Sequence, residues 1–181
     1  KNHRTPASLR SAAADRSIDL LADHPERSTI LEDLRVLRLL RAPSGAHIAG
    51  PEFDRFFTGS GGYGYTWFRD DAEIGRHLLA ASDALDVDLT EPLVRTARFH
   101  CRAQRVDGSW PHRVWADTGA LAPGWANARL EGSSSLDYQA DQTASVATFL
   151  ARLLHDGEDA LESTVLSDIR TSLDAALDVL D

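Results

Sequence analysis

The segment Tyr63–Asp71 combines four aromatic side chains, one guanidinium and two carboxylates directly after a run of glycines. Sugar rings present apolar C–H faces and hydroxyl edges, so a site that binds them needs flat aromatic surfaces beside charged hydrogen-bonding groups. Arg69 provides a rigid fork of donors, and Asp70 provides acceptors for two adjacent hydroxyls. The segment therefore indicates a carbohydrate site. The alternative is that the segment has only a structural role. Asp is common at the positive end of a helix, and the aromatic rings would then belong to the core.

A second segment, Asp107–Trp115, lies in a predicted loop that also contains Trp125. Three of the four tryptophans of the chain share this loop, namely Trp110, Trp115 and Trp125. Three tryptophans in one loop are not all expected to be buried in a helical core. Clustered exposed aromatic residues usually mark a ligand or partner site. The alternative is that one or two of them fasten the loop to the helices.

A third segment, Asp137–Thr143, is polar and leads into an apolar helix. Gln139 and Asp141 are predicted to point from the N-terminus of that helix toward the space enclosed by the two aromatic loops. As an alternative, Asp141 and Thr143 are ordinary residues of a helix start. The sequence alone leaves both interpretations open.

Composition excludes several classes of function. The net charge of −9 and the pI of about 5.2 argue against a nucleic-acid-binding protein, which needs cations to neutralise phosphates. The chain contains no run of about 18 apolar residues, so no membrane span is predicted. The first residues lack the apolar segment of a secretory signal, so we expect a cytoplasmic protein. The seven histidines have no ligand spacing and Cys101 is the only cysteine, so we expect no metal site and no cofactor.

The spacing of apolar residues predicts a chain that is almost entirely helical, with a short strand at His47–Ala49. Long loops rich in aromatic residues are predicted at 43–66 and 105–137, and loops of this length are usually functional. This order is compatible with three helical hairpins or with half of a larger closed ring. Helices are predicted at about 14–23, 28–42, 71–82, 91–104, 138–155 and 162–180.

Four segments in this order resemble glycoside hydrolase family 15, the prokaryotic glucoamylases with their glucodextranase and trehalase-like relatives. The most specific is Tyr63–Asp70, YGYTWFRD, which is similar to the family's Tyr-x-Tyr-x-Trp-x-Arg-Asp motif. The other three are residues 36–53, 107–111 and 138–144. The resemblance covers about residues 28–181 and leaves residues 1–27 as an N-terminal extension or linker.

The resemblance implies an all-α fold in which helical hairpins form the first half of an (α/α)6 toroid. It implies that Arg69 and Asp70 hold the terminal non-reducing glucose through its outer hydroxyls, and that Tyr63 and Trp67 line the same subsite. The implied ligands are α-linked glucans, oligosaccharides or trehalose. The other substrate-binding residues that the resemblance implies, on the wall of the cleft, are Trp110, Gln139 and Asp141.

Members of this family invert the anomeric centre with two glutamic acids, a general acid and a base that activates water, about 6.5–9.5 Å apart. The motifs that carry these residues are absent from the chain. The resemblance therefore implies that the catalytic residues lie beyond Asp181 and that the remainder of the catalytic domain is a partner of this chain. Phe68 and Asp71 stand where the prokaryotic branch usually has Pro and Ala, a change that either reshapes the subsite or has little effect.

The resemblance favours an exo-acting inverting glycosidase that releases glucose from α-glucans or oligosaccharides, with this fragment inactive on its own. The first alternative is a carbohydrate-binding or regulatory protein that has the same fold but no hydrolytic activity. The second is a structural helical domain with a protein partner at the tryptophan-rich loop, and this alternative predicts no sugar affinity.

Overall fold

The computed structural model describes residues 27–51, 63–85, 88–122 and 139–181. These residues form five α-helices and one two-stranded sheet, so the fold is mostly helical, as the sequence predicts. No helix in this part of the chain is long and apolar enough to cross a membrane. The helix predicted at 14–23 lies outside the described residues. The helices are α1 (Arg27–Leu40), α2 (Phe68–Leu85), α3 (Thr90–Ala103), α4 (Ala140–Gly157) and α5 (Ser163–Leu180), with a 3₁₀ turn at Glu158–Ala160.

Helices α2 and α4 pack side by side and run parallel, and theirs is the most extensive contact between helices. Their N-termini meet where the guanidinium of Arg69 binds the carboxylate of Asp141. Further along, Gly75 faces the ring of Phe149, and a Cβ at position 75 would lie only 2.6 Å from that ring. Glycine thus allows the close approach of the two helices. As a result, the N-termini of α2 and α4 open on the same side of the molecule.

Helix α3 runs antiparallel to α2. This orientation is shown by His100, near the end of α3, which contacts Asp71 in the first turn of α2. Helix α5 packs on both α4 and α3. The four helices therefore form two hairpins that lie side by side, and α1, which has no fully buried residue, packs on the core through partly buried leucines. Large apolar residues of the shared core include Phe68, Phe99, Trp110, Phe149, Leu150 and Ile169.

A short antiparallel ribbon joins the two loops. Strand β1 (Thr66–Trp67) pairs with strand β2 (Arg113–Val114), with Thr66 opposite Val114 and Trp67 opposite Arg113. Strand β1 leads directly into α2 and strand β2 lies within the second loop, so the ribbon fastens that loop to the start of α2.

The strand predicted at 47–49 is not formed. His47 makes a single bridge with Arg41, and the next residues pair with the chain just before β1. The N–H of Ala49 donates to the carbonyl of Tyr65 at 3.0 Å, and that of Gly50 donates to the carbonyl of Tyr63 at 2.8 Å. The segment is extended as expected, but its hydrogen bonds alternate between partners and make no ladder.

Helix α2 begins at Phe68, three residues before the predicted start. The backbone N–H of Arg69 is one of the donors that a helix start leaves without an intrahelical partner. It donates at 2.6 Å to the side-chain oxygen of Gln142, which belongs to α4. Because this cap comes from another helix, a search for local capping residues does not find it.

Candidate functional site

The ribbon has two faces, because successive side chains of a strand point in opposite directions. Thr66 and Val114 face the core: Val114 is fully buried, and the Thr66 hydroxyl donates to the carbonyl of His47 at 2.9 Å. The other face, which we call the aromatic face, carries Tyr63, Tyr65, Trp67, Arg113 and Trp115.

Ring contacts join the aromatic face into one chain. The ring centroids of Tyr63 and Trp67 are 6.0 Å apart, and those of Tyr65 and Trp67 are 6.2 Å apart. The rings of Tyr65 and Trp115 meet edge to face at 4.8 Å. The buried guanidinium of Arg113 lies 4.8 Å from the centre of Tyr65 and 5.4 Å from that of Trp67. These distances are typical of aromatic pairs and cation–π contacts, so the face is a defined, well-packed surface.

Only the two ends of this chain of rings are open to solvent. Tyr63 is 61% exposed and Trp115 is 36% exposed, whereas Tyr65 and Trp67 are 2% and 7% exposed. Tyr65 and Trp67 form a small apolar cluster with Ala122, separate from the main core. The inner rings therefore support the two outer ones.

A hydrogen bond fixes Trp67 in addition to its packing. The indole N–H of Trp67 donates to Nε2 of His112 at 3.2 Å, and both side chains are buried. An acceptor at Nε2 places the imidazole proton on Nδ1, so His112 is neutral in this arrangement. Trp67 consequently has a fixed orientation two residues before Arg69.

Three charged side chains, which we call the Arg69 cluster, meet at the N-termini of α2 and α4. The guanidinium of Arg69 donates to Asp141 at 2.7 Å and to Asp70 at 3.4 Å. All three side chains are about half exposed. The hydrogen bond to Asp141 is the main cause that raises the pKa of Arg69 above its ordinary value, against the opposing effect of burial. Two carboxylates against one guanidinium leave the cluster with a net negative charge.

Gln139 contacts the Arg69 cluster indirectly, through Gln142. Its side-chain oxygen accepts a hydrogen bond at 3.2 Å from the amide of Gln142, which is fully buried and caps the backbone of Arg69. The two glutamines therefore hold the starts of α2 and α4 in register.

A second carboxylate, that of Asp71, is completely buried between two imidazoles. One oxygen accepts from the backbone N–H and from Nδ1 of His47, at 3.0 and 2.7 Å, and the other accepts from Nε2 of His100 at 2.7 Å. Burial alone would raise the pKa of Asp71, but His100 and His47 outweigh it and lower the pKa below its ordinary value. We call these three residues the Asp71 cluster; they fasten the loop before β1 to α2 and α3.

The structure thus groups five of the residues predicted from the sequence. Arg69, Asp70 and Asp141 form one cluster, and Tyr63 and Trp67 belong to the aromatic face that directly precedes it.

Trp110 lies elsewhere. Its ring is fully buried, its indole N–H donates to the carbonyl of His100 at 2.9 Å, and its backbone N–H donates to the hydroxyl of Thr143 at 3.2 Å. The indole fastens the second loop to α3 and α4, which is the alternative that the sequence left open. A sugar contact of Trp110 stays a prediction, and Trp125 lies outside the described residues.

Sequence reasoning did not assign roles to Arg113, to Trp115 individually, or to the Asp71 cluster. For Arg113 and Trp115 the sequence does contain a signal, which is their spacing. The aromatic residues at 63, 65 and 67 and the pair at 113 and 115 alternate as strand residues do. The Asp71 cluster has no local signal, because its residues are 24 and 29 positions apart.

Among the described residues, no group of three or more His, Cys, Asp or Glu side chains is arranged to hold a metal ion. No family model, curated protein or solved structure matches the chain. The aromatic face and the Arg69 cluster are therefore the basis on which a function can be assigned.

Proposed function

We propose that the chain holds the terminal glucose of an α-linked glucan or oligosaccharide, as the sugar-binding part of an exo-acting inverting glycosidase. The observation that carries this proposal is the Arg69 cluster, in which a guanidinium binds two half-exposed carboxylates. In the sequence, Arg69 follows Trp67 of the aromatic face by two positions. The resemblance of Tyr63–Asp70 to the motif of glycoside hydrolase family 15 agrees with it.

The Arg69 cluster suits a neutral polyol. Each carboxylate has lone pairs that the guanidinium leaves open, and the hydroxyls of a sugar both donate and accept. A charge-assisted hydrogen bond to such a hydroxyl contributes about 1.5–3 kcal/mol. The net negative charge of the cluster disfavours phosphates and other anions, so an uncharged sugar is the better ligand.

The same cluster is unsuited to general acid catalysis. An inverting glycosidase uses two carboxyl groups on opposite faces of the sugar ring, whereas Asp70 and Asp141 both lie against the single guanidinium of Arg69. We therefore assign these residues to binding. The two catalytic carboxyl groups of the proposed enzyme belong to the remainder of its catalytic domain.

The proposed fold of the whole enzyme is a helical toroid built from hairpins like the two seen here. In that arrangement, α2 and α4 are parallel inner helices whose N-termini surround the sugar site, and α3 and α5 are outer helices. The groove between α4 and α5 is apolar, and Leu177 and Leu180 in it are 53% and 37% exposed. Contiguous apolar surface of this kind is typical of an interface, and we propose that the next hairpin covers it.

A non-catalytic carbohydrate-binding protein is the second candidate. The Arg69 cluster favours it too, because carboxylates held by a guanidinium can bind sugar hydroxyls without any catalytic carboxyl group nearby. The two candidates differ in one observable, the release of β-glucose.

Titration calorimetry with maltotriose, isomaltotriose and trehalose tests the binding site. The chain is expected to bind at least one of them, and Arg69→Ala is expected to weaken that binding about tenfold or more, because it removes a charge-assisted hydrogen bond. Arg76→Ala is the matched control, since Arg76 lies on the same helix, is 38% exposed against 42% for Arg69, and is ion-paired to Glu73.

Equal loss of affinity in both arginine variants would indicate damage to α2, and unchanged affinity in Arg69→Ala would contradict the site. A glucose-release assay on the complete gene product then separates the two candidate functions. Release of β-glucose identifies the inverting glycosidase, and binding without release identifies the non-catalytic protein.

A further inference from the structure

The exposed side of α3 is basic, although the chain as a whole carries a net charge of −9. The exposed residues of this helix are Glu91, Arg95, Arg98 and Arg102. We call its three arginines the arginine face. The guanidinium of Arg95 donates to the carbonyl of Pro43 at 3.2 Å. That of Arg102 donates to the carbonyl of Ser44 at 3.3 Å. These bonds hold two of the three positive charges at the surface of the helix.

The neighbouring helix α5 has the opposite charge. Its charged residues are all exposed, and they are Asp168, Arg170, Asp174 and Asp178. Arg170 and Asp174 line the groove toward α4. Asp168 lies on the side that adjoins α3: burial is the main cause that raises the pKa of Cys101 on α3, and the carboxylate of Asp168 raises it further. The α3 side of α5 is therefore acidic.

The contacts between α3 and α5 show which of their residues lie at the same height. Arg98 is ion-paired to Glu162, the residue just before α5, at 3.0 Å. The amide of Gln104 donates to the carbonyl of Ser172 at 2.8 Å. The two helices therefore run parallel, and residues 102 and 168 both lie between these two levels.

Arg102 and Asp168 keep their charges for a partner. Within the ranges that the structure describes, neither side chain forms an ion pair, and the one hydrogen bond of the Arg102 guanidinium is to a backbone carbonyl. A guanidinium has five N–H donors, so most of those of Arg102 are open.

Two parallel neighbouring helices of opposite charge are complementary to a second copy of themselves. A two-fold rotation about an axis parallel to the helices, and midway between them, places α3 of each copy opposite α5 of the other. This rotation keeps the height of every residue along the helices. Arg102 of each copy consequently lies at the level of Asp168 in the other, and every contact occurs twice.

We propose that the exposed side of α3 and α5 is a surface on which a second copy of this chain docks, with the arginine face against Glu162 and Asp168. A second copy is favoured over a nucleic acid, because the acidic side of α5 repels a polyanion but is complementary to the arginine face. The inference goes beyond the proposed function and is independent of it, since none of these residues belongs to the Arg69 cluster or to the aromatic face.

Sedimentation velocity of the whole chain across a salt series tests the surface. Wild type is expected to form a dimer at about 0.01 M salt and to dissociate toward about 1 M, because salt screens exposed charges. A chain that stays monomeric at low salt overturns the inference. A dimer that persists or strengthens at high salt also overturns it, and would locate the contact at the apolar groove between α4 and α5.

Two single charge reversals, Arg102→Glu and Asp168→Arg, test whether the contact joins two copies. Each variant alone is expected to dimerise at least about tenfold more weakly than wild type, because the two-fold axis sets like charges opposite each other twice. An equal mixture of the two variants is expected to dimerise as well as wild type, since both contacts then join opposite charges again.

Asp178→Arg is the matched control, because it makes the same change of charge on α5 but lies six residues beyond Ser172, past the end of α3. Equal weakening by this variant would attribute the effect to net charge and refute the surface. A mixture that dimerises no better than its separate components refutes the contact between copies. The salt series on wild type needs no variant, so it remains decisive should a charge reversal prevent folding.

Discussion

Asp70 and Asp71 are neighbours in the first turn of α2, but their carboxylates lie in opposite environments. The Asp70 side chain is 45% exposed and shares Arg69 with Asp141 across two helices. The Asp71 side chain has no exposed surface and accepts three hydrogen bonds from two histidines. One residue along a helix is a rotation of about 100°, which is enough to move a side chain from the surface to the core.

The first turn of α2 thus carries two clusters of different kinds. The Asp71 cluster is closed, since its polar groups bind one another inside the core, and it holds the helix in position. The Arg69 cluster is open, since its carboxylates keep acceptor capacity for a ligand. We therefore expect substitutions in the first cluster to change stability and substitutions in the second to change binding.

Asp71→Ala is expected to have the largest effect. It leaves two buried imidazoles without their acceptor, and removal of one partner of a buried pair costs about 3–5 kcal/mol of unfolding free energy. Asp70→Ala is expected to change that free energy by no more than about 0.5 kcal/mol, as is usual for surface substitutions. Urea unfolding of both variants measures the difference, and similar losses would show that the two clusters do not differ in kind.

Asp70→Asn is expected to have the next largest effect, and on affinity alone. It replaces a charge-assisted hydrogen bond to the sugar with a neutral one, at a cost of about 1.5–3 kcal/mol of binding free energy. Calorimetry with the sugar that wild type binds gives the value, and the thermal midpoint is expected to stay unchanged. Glu73→Gln serves as the control, because Glu73 is a similarly exposed, ion-paired carboxylate on the same helix.

The pH dependence of stability is expected to report the closed cluster. The pKa of Asp71 is lowered in the folded state, so its stabilising effect is complete above the ordinary carboxyl pKa of about 3.9 and is lost as pH falls through the lower folded value. Unfolding midpoints between pH 5 and pH 3 are therefore expected to fall more for wild type than for Asp71→Asn. Parallel curves would mean that Asp71 does not titrate in this way.

The pair of Arg69 and Asp141 is expected to give the smallest effect. Half-exposed ion pairs contribute about 0.2–1 kcal/mol to the unfolding free energy. A double-mutant cycle with Arg69→Ala and Asp141→Ala measures this coupling. A value above about 2 kcal/mol would place the Arg69 cluster with the closed, structural kind.

Local patterns predicted the helices within the described residues, because apolar spacing along each helix records which side packs on the core. The sequence also pointed to the three residues of the Arg69 cluster, since they stand close to two helix starts, but not to the ion pair between Arg69 and Asp141, and their role in sugar binding stays a prediction. The pairing of Asp71 with His47 and His100 was not, because contacts across 24 and 29 residues leave no local trace. The early start of α2 has the same cause, as its cap comes from Gln142.

Aromatic residues in loops were the hardest to interpret. Trp110 and Trp115 are five positions apart in one loop, but the first is fully buried and the second is 36% exposed. Nothing in the adjacent sequence distinguishes them. Their environments differ because Trp115 directly follows β2 and belongs to the aromatic face, whereas Trp110 precedes the strand. This placement depends on the pairing of β2 with β1.

The two faces of the ribbon also have a consequence for how the sequence can drift over evolutionary time. Exchanges at Thr66 and Val114 act on the interior and are constrained in every descendant that folds at all. Exchanges at Tyr63 and Trp115 act on the more exposed side chains and are less restricted by packing. Natural variants of the ribbon should therefore differ mainly at its two exposed ends, positions 63 and 115, and keep the buried residues between them on both faces.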